Sequence, residues 1–173
     1  MGRVVKNSKG LDNLRKAGHA LDGIIAKVGY FETSKYPDGT PVAAVASVHE
    51  FGSPSKGIPA RPTMRPTIAE QRPTWARHLA QGAQAVVEGR FTAEQVMDSV
   101  GALAAGDVRK SIAALQSPPL KPETIKARQR RYADKKTVGS LGKPLVDTAI
   151  MVNSVTHVVE AKGSGGTTGE VIG

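Results

Sequence analysis

Apolar residues recur at helical spacing in two long stretches near the middle of the chain. The first stretch places Ile68, Trp75, Leu79, Ala83 and Val86 on one face, and the second does the same with Val96, Val100, Leu103, Ala104, Val108, Ile112 and Leu115. A period of three to four residues is typical of amphipathic helices. The pattern therefore predicts two substantial central helices.

Capping signals indicate where these helices begin. Thr67-x-x-Glu70 and Thr92-x-x-Gln95 both have the form of a capping box, and Phe91 with Val96 forms a hydrophobic staple at the second. Pro73 either kinks the first helix or marks its true start. Ser-Pro-Pro at 117–119 ends the second helix.

Shorter elements flank this pair. Leu11, Leu14, Ala17 and Leu21 predict a short helix ended by Gly23, and β-branched residues at 24–31 and 156–161 predict strands. Residues 122–128 suit one or two helical turns. Asp147 is expected to cap a last short helix with Ile150, Met151 and Val155 on one side, and residues 170–172 suit a further, returning strand.

Residues 42–51 read most simply as a short helix. Thr40 and Pro41 supply an N-cap and a proline for the first helical position, and Gly52 lies where a left-handed C-cap is expected. A strand is the alternative, because Val42, Val45 and Val48 do not decide between the two.

The expected fold is α+β, with a small mixed or antiparallel sheet packed against two substantial central helices and shorter flanking helices. Residues 1–10 are predicted to be an N-terminal arm and residues 11–173 a single domain. That domain contains a proline-rich loop at 53–66 and a mobile basic loop at 129–142, which is polar and nearly free of apolar anchors.

Composition narrows the picture further. Apolar residues make up 39% of the chain but aromatic residues only 4%, so the core must consist of small aliphatic side chains. The absence of cysteine excludes disulfides and thiolate metal sites. No apolar run approaches the ~18 residues of a membrane span, so we expect no membrane partner.

The formal charge of +9 is concentrated in one segment, because residues 121–143 contain eight basic and two acidic residues. Such a cluster suits nucleic-acid phosphates or an acidic neighbouring subunit. Only one aromatic residue, Tyr132, lies among the charges, which leaves both alternatives open. The candidate contact residues are Lys126, Arg128, Arg130, Arg131, Lys135 and Lys136.

Three patterns superficially suggest catalysis or cofactor binding. His49-Glu50 lacks the second histidine that a zincin helix needs, and Asp147-Thr148 is followed by Ala149 where an aspartic protease has glycine. The glycine-rich run at 163–169 lacks the lysine of a phosphate loop. We therefore expect no enzyme activity, no metal site and no cofactor.

Two groups of motifs are more specific. Val-His-Glu-Phe-Gly at 48–52 is followed by Ile-Pro-Ala-Arg-Pro at 58–62. Farther along, the residues at 119–126, 143–148 and 153–155 read Pro-Leu-Lys-Pro-Glu-Thr-Ile-Lys, Lys-Pro-Leu-Val-Asp-Thr and Asn-Ser-Val. In this order they resemble the phage tail-completion and neck proteins, the minor tail protein Z-like group. Thr63 and Ala149 depart from that pattern, which usually has phenylalanine and glycine there.

The resemblance implies a structural protein of the virion that forms a ring, with a hexamer favoured, at the head–tail neck. The implied partners are further copies of the chain, the head–tail connector, tail terminator and tail tube proteins, and packaged DNA through non-specific contacts. The implied location is the virion, and the host cytoplasm during assembly. A nucleic-acid-binding module and a morphogenesis factor absent from the finished particle are the alternatives.

Residues of the first motif group are expected to form the subunit interface: His49, Glu50, Phe51, Gly52, Ile58, Pro59, Ala60, Arg61 and Pro62. Arg61 offers a planar guanidinium for a carboxylate or carbonyls across that interface, so its loss is expected to spare the fold. Ala149, in place of glycine, suggests an ordinary helical residue.

Overall fold

The structure, a computed structural model, describes residues 8–133, 142–145 and 149–163. It has the predicted α+β fold, with six α-helices and a two-stranded antiparallel sheet in the described residues. In chain order the elements are α1 (Ser8–Asp22), β1 (Ile24–Gly29), α2 (Val42–Phe51), a 3-10 helix (Pro54–Lys56), α3 (Met64–Val87), α4 (Ala93–Ala114), α5 (Pro122–Arg131), α6 (Ile150–Ser154) and β2 (Thr156–Ala161).

Helix α4 is the central element, and its start and buried face match the prediction. Gln95 N donates to Thr92 Oγ1 over 3.2 Å, and Thr92 N donates to Gln95 Oε1 over 2.9 Å, which completes the capping box. The predicted stripe is buried or partly buried along its length. Helix α4 packs against α3 on one side and against both strands on another.

The sheet joins the two ends of the described chain. Strands β1 and β2 pair with Val28 opposite His157, and β1 ends at Gly29, two residues before the predicted end. The His157 ring packs over Gly101 of α4, and its Nε2 lies 2.8 Å from Asp98 Oδ1. These contacts attach the sheet to α4. Residues 170–172 lie outside the described residues.

The core consists of small aliphatic side chains, as the composition requires. Its buried members come from α2, α4, α6 and the residues on either side of α6: Val42, Ala105, Val108, Ile112, Leu145, Met151 and Val155. Burial of a valine, leucine, isoleucine or methionine side chain contributes roughly 1.5–3 kcal/mol, and burial of an alanine contributes less. The core therefore lies toward the C-terminal half of α4, where α2 and α6 meet it.

Several predicted boundaries are corrected. Helix α1 begins at Ser8, so residues 8–10 are helical and do not belong to an arm. Helix α5 continues to Arg131, so residues 129–131 are helical as well. Residues 134–141 of the predicted mobile loop, and the predicted cap Asp147, lie outside the described residues.

The expectation that Ala149, at the start of α6, is an ordinary helical residue is also corrected. Ala149 adopts φ 59° and ψ 0°, the left-handed conformation that glycine favours, and is not an ordinary helical residue. A β-carbon in this region costs roughly 1–2 kcal/mol. The turn that a glycine would form is therefore kept although alanine occupies it.

Two glycines of α4 test how closely the sheet packs. A β-carbon on Gly101 would lie 2.6 Å from His157 Cδ2, whereas one on Gly106 would meet nothing within 4 Å. We expect Gly101→Ala to lower the free energy of unfolding by about 1–3 kcal/mol through overpacking. Gly106→Ala should raise it by about 0.5–1 kcal/mol, because alanine favours a helix. Urea denaturation of both variants measures this, and equal effects would contradict the packing.

Candidate functional site

The carboxylate of Glu50, in the last turn of α2, binds the beginning of α3. Its Oε2 accepts hydrogen bonds from the N–H groups of Thr63 and Met64 over 2.7 Å and 3.0 Å, and its Oε1 accepts one from Arg65 N over 3.0 Å. The first four residues of a helix, counted from its N-cap and here 63–66, have no hydrogen-bond partner for their N–H groups within the helix. The fourth of them is Pro66, which has no N–H. Glu50 therefore satisfies every free donor at this helix end.

The side chain of Arg65, in the first turn of α3, binds the end of α2. Its Nε donates to Glu50 Oε1 over 3.1 Å and its Nη2 donates to the Glu50 carbonyl over 2.8 Å. Its guanidinium lies 4.8 Å from the centroid of the Phe51 ring. The C-terminus of α2 and the N-terminus of α3 are thus bound in both directions.

Gly52 allows the chain to turn back between these helices. Its φ of 78° and ψ of 175° lie outside the predicted left-handed C-cap, in a region that only glycine readily adopts. A β-carbon there would lie 2.9 Å from Ala60 N. Arg61 N then donates to the His49 carbonyl over 2.6 Å, so the returning segment runs directly against the end of α2.

The side chain of Arg61 is 5% exposed, and its fork is used within its own chain. Its Nε donates to the Pro118 carbonyl over 2.8 Å and its Nη2 donates to the Pro119 carbonyl over 2.9 Å. The expectation that this fork reaches across a subunit interface is corrected. Its loss is also no longer expected to spare the fold, because a buried guanidinium attaches the motif to the segment after α4.

Arg128 of α5 likewise binds backbone carbonyls, here those of the segment before Leu145. It is 7% exposed, and its Nη1 and Nη2 donate to the carbonyls of Lys143 and Pro144 over 2.7 Å and 3.2 Å. Arg128 is therefore removed from the predicted nucleic-acid contacts, because a buried side chain cannot reach a phosphate.

The other predicted contacts divide between exposed and undescribed residues. Lys126, Arg130 and Arg131 are exposed on α5, whereas Lys135 and Lys136 lie outside the described residues.

Burial and neighbouring charge shift the ionisation of this cluster. Burial raises the pKa of Glu50, but its hydrogen bonds from Arg65, Thr63 and Met64 together hold the pKa below its ordinary value. Burial, and then the charges of Arg61 and Arg128, lower the pKa of His49, whose Nδ1 is buried without a hydrogen-bond partner. The cluster thus favours an ionised Glu50 and a neutral His49.

Four of the five motif segments meet in one cluster, which we call the motif cluster: Glu50, Arg61 and the adjoining Arg128 with the backbone groups they bind. Phe51, in contrast, is 64% exposed, and Pro59 and Ala60 are exposed beside it. Ile58 and Pro62 are partly buried, and the loop is closed by a bridge between Ser53 and Ile58.

The sequence prediction placed Glu50 at a subunit interface, missed its role as the cap of α3, and misplaced the start of α3. Thr67 is not a cap, since α3 begins at Met64 and the Thr67 hydroxyl donates to the Thr63 carbonyl over 2.6 Å. One signal was available: a glutamate in the last turn of a helix opposes the negative end of the helix dipole. Its position there indicates a partner outside its own helix.

Within residues 8–133, 142–145 and 149–163, no three acidic or histidine side chains gather as metal ligands. In the same part of the chain no helix has the length and apolarity to cross a bilayer. No protein-family model matches the chain, and no curated protein or solved structure is significantly similar to it. The family resemblance therefore rests on the motif residues alone.

Removing the charge of Glu50 should loosen α2 from α3. We expect Glu50→Gln to lower the free energy of unfolding at neutral pH by about 2–4 kcal/mol, because hydrogen bonds to a charged group contribute ~1.5–3 kcal/mol each and are not additive. Glu70→Gln, at an exposed position of α3, should change it by less than about 0.5 kcal/mol.

The pH dependence has a definite sign. Because the pKa of folded Glu50 lies below its ordinary value of 4.5, its contribution is present above that value and is lost as the pH falls through the folded pKa. The stability gap between wild type and Glu50→Gln should therefore narrow in acid. Denaturation curves at several pH values measure it, and a gap independent of pH would contradict the role of the charge.

Arg61→Ala should destabilise the protein, in contrast to the expectation from sequence. We expect a loss of about 2–4 kcal/mol, because two carbonyls lose hydrogen bonds to a charged donor. Arg61→Lys should recover only part, since an ammonium cannot reproduce the planar fork. Arg72→Ala, at an exposed position of α3, is the matched control. A thermal melt of Arg61→Ala that overlays the wild type would refute the internal role.

Proposed function

We propose that this chain is a structural protein of a tailed-phage particle, which assembles into a ring at the head–tail neck and completes the tail. The observation that carries the proposal is how buried charged side chains hold the motif segments together. The charged groups of Glu50, Arg61 and Arg128 all bind backbone groups of the next motif or segment. Such a cluster fixes the shape of a surface. Its charged groups form structural hydrogen bonds, which supports a structural role over a catalytic one.

The surface that it fixes is suited to assembly. Phe51 is presented beside a loop whose two ends are bridged and whose sequence contains Pro54 and Pro59. A preorganised loop loses little conformational entropy when it docks, so more of its contact energy is available for association. Phe51, Pro59 and Ala60 are exposed side by side there, and adjoining exposed apolar side chains, unlike isolated ones, are found at interaction surfaces.

The proposal includes the partners and the location that the resemblance implies. The chain forms a homo-oligomeric ring, with a hexamer favoured, between the head–tail connector and the tail terminator or tail tube proteins. It resides in the virion and, before assembly, in the host cytoplasm. Its role is structural, without a cofactor.

A nucleic-acid-binding module is the second candidate, and α5 favours it. Lys126 and Arg130 are exposed four residues apart, so they lie on the same face of that helix. Phosphate binding through such a face would weaken steeply with salt. Size exclusion with and without duplex DNA at physiological salt distinguishes the candidates, because a binding module shifts with DNA.

Purified particles of the phage that encodes the chain provide the test. Quantitative mass spectrometry should find the protein at a fixed copy number that matches one ring, and symmetry-resolved imaging should place that ring at the neck. Absence from finished particles would support a morphogenesis factor, and a copy number that scales with tail length would refute the ring.

A further inference from the structure

We propose that Phe51 and its loop dock head-to-tail onto an acidic groove of a second copy of the chain. The loop face consists of Phe51, Pro54, Ile58, Pro59 and Ala60, and the acidic groove is lined by Ile24, Glu94, Asp98, Val159 and Glu160. The inference rests on the proposed ring and names the two surfaces that would meet in it.

The loop face is an apolar projection with a basic rim. Phe51 is largely exposed, with the Arg65 guanidinium stacked against its ring. Lys121 borders the same face, with its Nζ 3.5 Å from the position that a β-carbon on Gly57 would occupy. Lys56 is exposed in the 3-10 helix of the loop. A surface of this composition is complementary to an apolar depression with an acidic rim.

The acidic groove has that composition. It encloses about 410 Å³ between the first turns of α4 and the end of β2, with Ile24 and Val159 as apolar lining. Glu94 and Asp98 lie four residues apart on one face of α4, and the Asp98 side chain is 68% exposed. The Glu94 and Asp98 carboxylates therefore border the groove, with the His157 imidazole beside Asp98, whereas the Glu160 carboxylate pairs with the Lys27 ammonium.

The two surfaces lie toward opposite ends of the central helix. Glu94 is in the first turn of α4, whereas Arg61 ties the loop to Pro118, beyond the last turn. A helix of 22 residues is about 33 Å long. One chain therefore cannot bring its own loop face to its own groove. Contact between unlike surfaces of successive copies is heterologous, which generates a closed ring or an open filament.

Complementary charge reversal tests this contact. Lys121→Glu alters only the loop face and Glu94→Lys alters only the groove, so each variant alone should self-associate more weakly than wild type by a factor on the order of 10–100. In an equimolar mixture, the reversed groove of one variant meets the reversed loop face of the other, and their unaltered surfaces also match. The mixture should therefore regain association. Sedimentation velocity over a concentration series at low salt measures all three samples.

The controls carry the same charge changes elsewhere. Lys16→Glu lies on α1 and Glu70→Lys on α3, both at exposed positions, and neither should change association. Thermal melts confirm that each variant is folded.

Each outcome bears on a separate claim. A wild-type chain that stays monomeric, single variants that associate like wild type, or a mixture that fails to regain association would overturn the docking. Open filaments with the expected charge-reversal pattern would uphold the docking and overturn the ring. Closed rings that are insensitive to both substitutions would uphold the ring and overturn the docking.

Discussion

One carboxylate determines how the middle of this protein is arranged. Helix α3 exposes three free N–H groups at its start, and Glu50 of α2 accepts all three, while Pro66 removes the fourth donor. Buried backbone donors must be paired, so α3 is stable in this position only with α2 beside it. The turn at Gly52 and the exposed position of Phe51 both follow from that pairing.

Two buried guanidiniums extend the same principle to segments without regular structure. Arg61 holds the carbonyls after α4, and Arg128 holds those before the core residue Leu145. In each case a charged side chain supplies hydrogen bonds that no helix or strand provides. Glu50, Arg61 and Arg128 each bind the backbone of a segment later in the chain.

Sequence reasoning succeeded where the signals are local. The start of α4 lies in four consecutive residues, Thr92 to Gln95, and its buried face is a repeating pattern, so both were predicted and confirmed. Sequence reasoning failed where a residue distant in the chain supplies the hydrogen-bond partner. The Thr67 capping pattern is overridden because Glu50 satisfies the N–H donors of residues 63–65, so that α3 begins at Met64.

The burial of the two arginines was missed for a related reason. Arginine is usually exposed, and a count of charges in residues 121–143 does not show that Arg128 lies beneath its neighbours. Phe51 and its loop are exposed, so their roles depend on a binding partner and do not follow from contacts within one chain.

The central claim is that the motif cluster is internal while Phe51 is the part of the motif that meets a neighbour. Hydroxyl-radical footprinting of the free and the assembled protein measures this most directly, with the half-buried Trp75 as internal reference. We predict that Phe51 is modified readily in the free chain and protected in the assembly, whereas the reactivity of Trp75 stays the same. Equal modification of Phe51 in both states would contradict the account.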